Sequence, residues 1–196
     1  MLLGSNNSMT YLSPSTWWAK IFGFIGKCQR ISFEDQYTYQ GVRLFDIRIY
    51  KPHNSNHMVI KNGNVYYNTF SLFNVFDLFN KMEDVTVRLT LDISLNERLS
   101  DAYNSIQVKF VEYCNMIETI YPSIKFIGGR RRYDGKRLYH FKYEKENGTP
   151  FIIEGFDEFS WIDRLFPFIP AMKNKKLIEK YKDEHGFLML NFVDKK

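Results

Sequence analysis

The sequence predicts an α/β protein built on a parallel sheet, which as a (β/α)8 barrel of the TIM type would be compact or incomplete. Three observations bear on this. Short β-rich runs alternate with helical runs along the whole chain. Two of the β-rich runs, residues 42–50 and 85–94, are apolar on one face and carry charged residues on the other. At 196 residues, the chain falls short of the ~250 residues of a typical barrel and sits near the lower limit of ~200, so helices must be missing or short.

The elements follow in order. Residues 2–5 open the chain as a short strand. Residues 14–27 place Trp17, Trp18, Ile21, Phe22 and Ile25 at helical spacing, with Pro14 near the start and Gly26 near the end. Ser32 is suited to cap a short helix reaching Tyr39, and Gly41 to end it. Residues 42–50 form a strand. Residues 57–60 and 64–67 form two more around Asn62-Gly63. Phe70, Phe73, Phe76 and Phe79 recur every three residues, as on an apolar helix face. Residues 85–94 form a strand, and 96–120 one long helix with Leu99, Ala102, Ile106, Phe110, Cys114 and Ile117 on a stripe. Residues 124–127 form a strand before Gly128-Gly129. Residues 138–143 and 151–155 are expected strands around Asn147-Gly148. A stretch holding Pro167 and Pro170 leads to a basic helix, and 187–193 closes the chain as a strand.

Composition narrows the class. Hydrophobic residues are 44% and aromatics 17% of the chain, with 18 Phe and 13 Tyr, which excludes a disordered protein. The pattern shows no repeat and no low-complexity linker, and it predicts one domain over residues 1–196. A net charge of +5 favours an anionic partner. Cys28 and Cys114 are too few for a disulfide scaffold or a cysteine-only metal site, and are expected as buried thiols in a reducing compartment. No run approaches the ~18 apolar residues of a membrane span, and residues 1–5 lack the basic start of a signal peptide, so the expected location is cytoplasmic.

The charged strand faces carry the functional clue. Phe45, Ile47 and Ile49 form one face of residues 42–50, and Leu44, Asp46 and Arg48 the other. In residues 85–94, Leu89, Leu91 and Ile93 oppose Arg88, Thr90, Asp92 and Ser94. Asn191 shares a face with Met189 and Val193. Charges late in a parallel strand point toward the end where α/β barrels build their sites. Burying them costs energy unless they pair with one another or bind a ligand. A structural Asp46–Arg48–Asp92 ion network and a ligand site both fit this pattern.

Two motifs are more specific. Gly4-Ser5-Asn6-Asn7-Ser8-Met9-Thr10-Tyr11 resembles the first motif, G-[ST]-H-[DN]-S-x-[TS]-Y, of the phosphatidylinositol-specific phospholipase C X-domain family. Gly41-Val42-Arg43-Leu44-Phe45-Asp46-Ile47-Arg48 is similar to its second motif, G-[IV]-R-x-F-D-[IL]-R. Lys61-Asn62-Gly63 falls where the family has a His-Gly pair, and residues 128–134 resemble a G-G-x-R-x-[FY]-D stretch of short bacterial and phage-encoded members. The resemblance runs from Leu2 to about Val193.

The resemblance implies a distorted TIM barrel that cleaves a phosphodiester by internal attack of a substrate hydroxyl. One histidine serves as general base, a second as general acid, and an arginine or a calcium ion steadies the phosphoryl charge. Arg48 stands where metal-independent members have that arginine, so the resemblance implies no cofactor and points away from calcium, although Asn7, Asp46 and Asp92 offer oxygen ligands. The catalytic positions it implies are Asn6, Arg48, Asn62 and Asp46, and the ligand-binding positions Asn7, Asp92, Arg130 and Asn191.

The departure from the family outweighs the match. The base position holds Asn6 and the acid position Asn62, and an amide neither takes nor gives a proton near neutrality. Asn191 lies near the family's aspartate that orients the first histidine. The expectation is a catalytically impaired form or pseudoenzyme that still binds an anionic phosphodiester, either an inositol phosphate or phospholipid headgroup or a cyclic nucleotide. A non-catalytic sequestering protein and a structural virion or assembly protein are the alternatives. His53, His57, His140 and His185 remain, and are expected as surface or satisfied residues.

Three further features invite function. Arg130, Arg131, Arg132, Lys136 and Arg137 form a basic loop suited to a phosphate or a solvated surface. Lys173, Lys175, Lys176, Lys180 and Lys182 read first as a solvated helix face and second as a lipid or nucleic-acid contact. Trp17 and Trp18 suit peripheral membrane contact, with core packing expected for at least one of them. No nucleic-acid motif is present.

Overall fold

In the computed structural model, residues 1–22, 27–52, 55, 57–67, 71–99, 102–155, 166 and 168–195 are described. Ile25, Gly26, His53, Phe70 and Pro167 of the expectations above lie outside them. The chain divides into two compact units, residues 1–46 with 150–196, and residues 47–149.

The first unit is organised by parallel strands. β1 (Leu2–Ser5) pairs with the first half of β2 (Val42–Tyr50), Gly4 opposite Leu44 and Ser5 opposite Phe45. On its other side β1 pairs with β8 (Phe187–Leu190), and β8 with β7 (Ile152–Glu154). A Cβ at Gly4 would overlap the Met189 sulfur, so a larger residue there would force that side chain to move. The core takes Leu44, Phe45, Leu188 and Met189, all fully buried.

Among the described residues, four α-helices accompany these strands. α1 spans Trp17–Phe22 and α2 Phe33–Thr38; Ser32 caps α2 by accepting from the Asp35 N–H, and Gly41 follows at φ +68°. Sequence placed the α2 boundaries well because its caps are local. α7 (Phe168–Ala171) and α8 (Asn174–Tyr181) precede β8. α1 corrects the expectation that a tryptophan is packed: Trp17 is 74% and Trp18 38% exposed, and only Ala19 of α1 is buried. Helical spacing identifies an apolar face and says nothing about what covers it.

In the second unit the end of β2 pairs antiparallel with β3 (Val59–Asn62), and β3 with β4 (Val65–Tyr67). β5 (Thr86–Leu91) pairs with β2 and runs parallel to β6 (Lys125–Arg131). All six residues of β5 are buried, as expected of a strand covered on both faces. The helices are α3 (Leu72–Phe79), α4 (Leu95–Arg98), α5 (Tyr103–Ile120) and α6 (Lys142–Asn147). An aromatic cluster joins them: Phe76 meets Phe126 edge-on at 5.4 Å, and Phe126 stacks on Phe141 at 5.5 Å.

Three expectations change here. Among the described residues the long helix of 96–120 is two helices, α4 opened by a reciprocal capping box of Ser94 and Glu97 and α5 starting at Tyr103, and Leu99, expected on the buried stripe, is 79% exposed. Residues 138–143 are not a strand; Glu118 accepts the Lys142 N–H at the start of α6, and Asn147-Gly148 ends that helix instead of turning a hairpin. The strand before Gly128-Gly129 continues through them, both at positive φ; a Cβ on either would strike the Leu89 or Tyr139 carbonyl oxygen. The mixed α/β character stands, with four parallel pairings. The closure that a complete barrel requires is not among the described pairings.

Candidate functional site

In the first unit the turn after β1 gathers amides. Asn6 and Asn7 follow Ser5, and Asn7 takes φ +46°, a left-handed conformation that asparagine tolerates better than most side chains. The Asn6 N–H donates to the Leu190 carbonyl at 3.0 Å, and the Ser8 N–H to the Asp46 carbonyl at 2.8 Å, so the turn is tied to β8 and β2. The Asp46 carboxylate, fully buried, accepts the Asn7 N–H at 3.3 Å.

The side chains meet in the same place. Asn6 Nδ2 donates to Asn191 Oδ1 at 2.7 Å, and Asn7 Nδ2 to Cys28 Sγ at 3.3 Å. Asn7 Oδ1 is buried and has no hydrogen-bond partner among the described residues. This unit thus brings together Asn6, Asn7, Asp46 and Asn191.

Sequence reasoning missed what holds them. Gln29, fully buried, donates from Nε2 to the Asn6 and Leu190 carbonyls at 3.0 and 2.9 Å and accepts the Val193 N–H at 3.1 Å. Asn174 donates to the Asn191 and Phe192 carbonyls. Thr10 Oγ1 accepts the Cys28 and Gln29 N–H groups. A glutamine and an asparagine in polar sequence surroundings carry no signal of burial.

In the second unit Arg48, Asn62 and Asp92 come together. Arg48 Nη1 donates to Asn62 Oδ1 at 3.3 Å. Asp92 accepts the Gly63 N–H at 2.9 Å and Arg132 Nη1 at 3.0 Å. Within this unit Asp92 pairs with Arg132, and the Arg130 backbone, on β6, lies opposite Thr90 of β5 and bridges to Arg137.

Beneath the β3–β4 turn sits a buried cation. Lys61, 3% exposed, reaches Glu97 at 3.0 Å and lies over the Tyr50 ring at 4.2 Å and near the Tyr66 ring at 5.5 Å. Burial alone would raise the Glu97 carboxyl. Hydrogen bonds from the Ser94 N–H and hydroxyl, Tyr50 and Lys61 outweigh it and bring the group down to about 2. Burial first, then the Glu97 contact, pushes the Tyr50 phenol up, out of reach of neutral pH.

The sign of the pH dependence follows. A carboxyl depressed in the folded state contributes stability above its ordinary value of 4.5, and loses it as pH falls toward about 2. An acid titration followed by circular dichroism is expected to show this loss, and Glu97→Gln to flatten the profile across that window. An unchanged profile in Glu97→Gln would contradict the assignment.

His57, His140 and His185 are exposed and belong to neither cluster. Among the described residues no group of three or more His, Cys, Asp or Glu could hold a metal ion. What the two clusters offer chemically is amide donors and acceptors, a buried carboxylate and the guanidinium of Arg48.

The fold has a solved counterpart. The chain is similar to the phosphatidylinositol-specific phospholipase C of Listeria monocytogenes, with a TM-score of 0.59 and 13% identity, over 100% of this chain and 92% of that one. At that identity the likeness shows the fold alone: a mixed α/β architecture similar to the TIM-barrel-like fold of that enzyme. No family model matches the chain. No curated protein matches it.

Proposed function

We propose that this chain is a phospholipase C-like phosphodiesterase that binds an anionic phosphate ester and turns it over poorly or not at all. The observation that carries the reading is the bond from the Arg48 guanidinium to the Asn62 amide. A guanidinium grips phosphate oxygens in a fixed geometry, and the residue beside it has no proton to exchange. Asn6 supports the same reading. Its partner is Asn191, so an amide pair stands where the resemblance implies a histidine and its orienting carboxylate. Asn7, with its buried unpartnered oxygen, is an acceptor suited to a ligand hydroxyl.

Calorimetry with an inositol phosphate and with a cyclic nucleotide tests the reading and separates the two ligand sources. Arg48→Ala is expected to weaken the measured affinity by ~10-fold or more, the value of a charge-assisted hydrogen bond of about 1.5–3 kcal/mol. Unchanged affinity in Arg48→Ala would remove Arg48 from the site, and no binding of either ligand would remove the reading itself.

The substrate surface is read from α1. Trp17, Ile21 and Phe22 are 74%, 59% and 55% exposed on a six-residue helix that also carries Lys20. Exposed aromatics beside a lysine suit the interface of an anionic membrane. No helix among the described residues is long and apolar enough to cross one. Trp17→Ala with Trp18→Ala is expected to lower co-sedimentation with phosphatidylserine vesicles while leaving the melting temperature near that of the unaltered chain. Retained vesicle binding would end the membrane part of the proposal.

A further inference from the structure

The β3–β4 hairpin turns at Gly63-Asn64; Asn62 ends β3 opposite Val65, and Gly63 stands at φ +61°. Asparagine followed by glycine is the sequence most open to attack of the backbone nitrogen on the side-chain carbonyl, because glycine has no Cβ to obstruct ring closure. Two contacts bear on the atoms that would react. Arg48 Nη1 donates to Asn62 Oδ1 at 3.3 Å. The Gly63 N–H donates to Asp92 Oδ2 at 2.9 Å. Attack of the Gly63 nitrogen on the Asn62 Cγ develops negative charge on Oδ1, where the guanidinium stands. It also requires the N–H proton to leave, and the Asp92 carboxylate already accepts that hydrogen. Arg132, on the same carboxylate oxygen at 3.0 Å, fixes its aim.

We propose that Asn62-Gly63 is a self-deamidation site, activated by Arg48 and Asp92. The Gly63 N–Cγ bond forms and the Cγ–Nδ2 bond breaks. The proton from the Gly63 nitrogen passes by way of Asp92 to the departing Nδ2, which leaves as ammonia. Water then opens the succinimide, at Cγ to give an aspartate or at the backbone carbonyl to give an isoaspartate. One water is consumed and one ammonia released, with no oxidant or reductant. The consequence rests on the function proposed above: position 62 would acquire a carboxyl able to carry a proton, which the amide cannot.

The chain contains its own control. Asn147-Gly148 is the same dipeptide, but the Gly148 N–H donates to the Glu144 backbone carbonyl at 3.1 Å and Asn147 Nδ2 to that of Tyr143 at 3.3 Å. The full chain, incubated at neutral pH in heavy-oxygen water, is digested and read by mass spectrometry. Position 62 is expected to convert on the order of tenfold faster than position 147 in the folded chain, since removal of one oxyanion donor alone costs ~10²-fold or more in enzymes. Urea is expected to bring the two to a common rate, and Asp92→Asn, folded by circular dichroism, to remove the advantage. Equal or slower conversion at position 62 in the folded chain would mean that the hairpin protects the amide, and would overturn the proposal. An undiminished rate in Asp92→Asn would overturn the role of Asp92. These readouts are masses and need no phosphate ligand, so they fail or succeed independently of the binding experiment.

Discussion

Histidine at both positions, Asn6→His with Asn62→His, is expected to raise phosphodiester cleavage ~10²-fold or more above the unaltered chain. General acid and general base are each typically worth ~10²–10⁴-fold, and the two act together. The surroundings suit the exchange. Asn191 Oδ1 now accepts an N–H from position 6 at 2.7 Å, and would accept an imidazole N–H in the same direction. Arg48 already bonds the side chain at position 62. Adding Asn191→Asp is expected to increase the gain by stabilising the imidazolium. The assay compares the three chains on a phosphatidylinositol and a soluble inositol phosphodiester. Cleavage no faster than that of the unaltered chain would remove the phosphodiesterase reading from the proposal and leave binding alone.

Lys61→Ala is expected to cost about 3–5 kcal/mol, the penalty for breaking a buried ion pair and leaving one charge behind. Lys61 is 3% exposed and bonded to Glu97, and its removal also empties the space against the Tyr50 ring. The double variant Lys61→Met with Glu97→Gln is expected to be much milder, because methionine refills the space and glutamine still accepts the Ser94 N–H that Glu97 holds at 2.7 Å. Urea unfolding of the unaltered chain, Lys61→Met, Glu97→Gln and the double variant gives the coupling. Additive losses would mean that the pair contributes nothing as a pair.

Much of the fold was legible because its signals are local. Ser32, the alternation in β2 and the glycine of the Gly63-Asn64 turn each specify backbone within a few residues. The start of α4 was legible too, in the Ser94-x-x-Glu97 spacing, whereas the continuous apolar stripe concealed the separation of α4 from α5. The edge of the site was not legible. Asp92 selects Arg132 from a run of three arginines because of the bulge between Leu89 and Thr90 in β5–β6, and register shifts leave no trace in charge spacing. Lys61 reads as a surface residue until two tyrosines and Glu97, distant in sequence, close around it.

Both cysteines are buried, Cys28 beside the amides and Cys114 in α5, where burial and then the Glu118 charge push its thiol up, far from thiolate at neutral pH. The native protein therefore presents a silent background to maleimide and nitroxide reagents. A single cysteine introduced at an exposed position such as Trp17 would carry the label alone, so insertion depth in a bilayer becomes measurable by paramagnetic quenching without deleting either natural thiol.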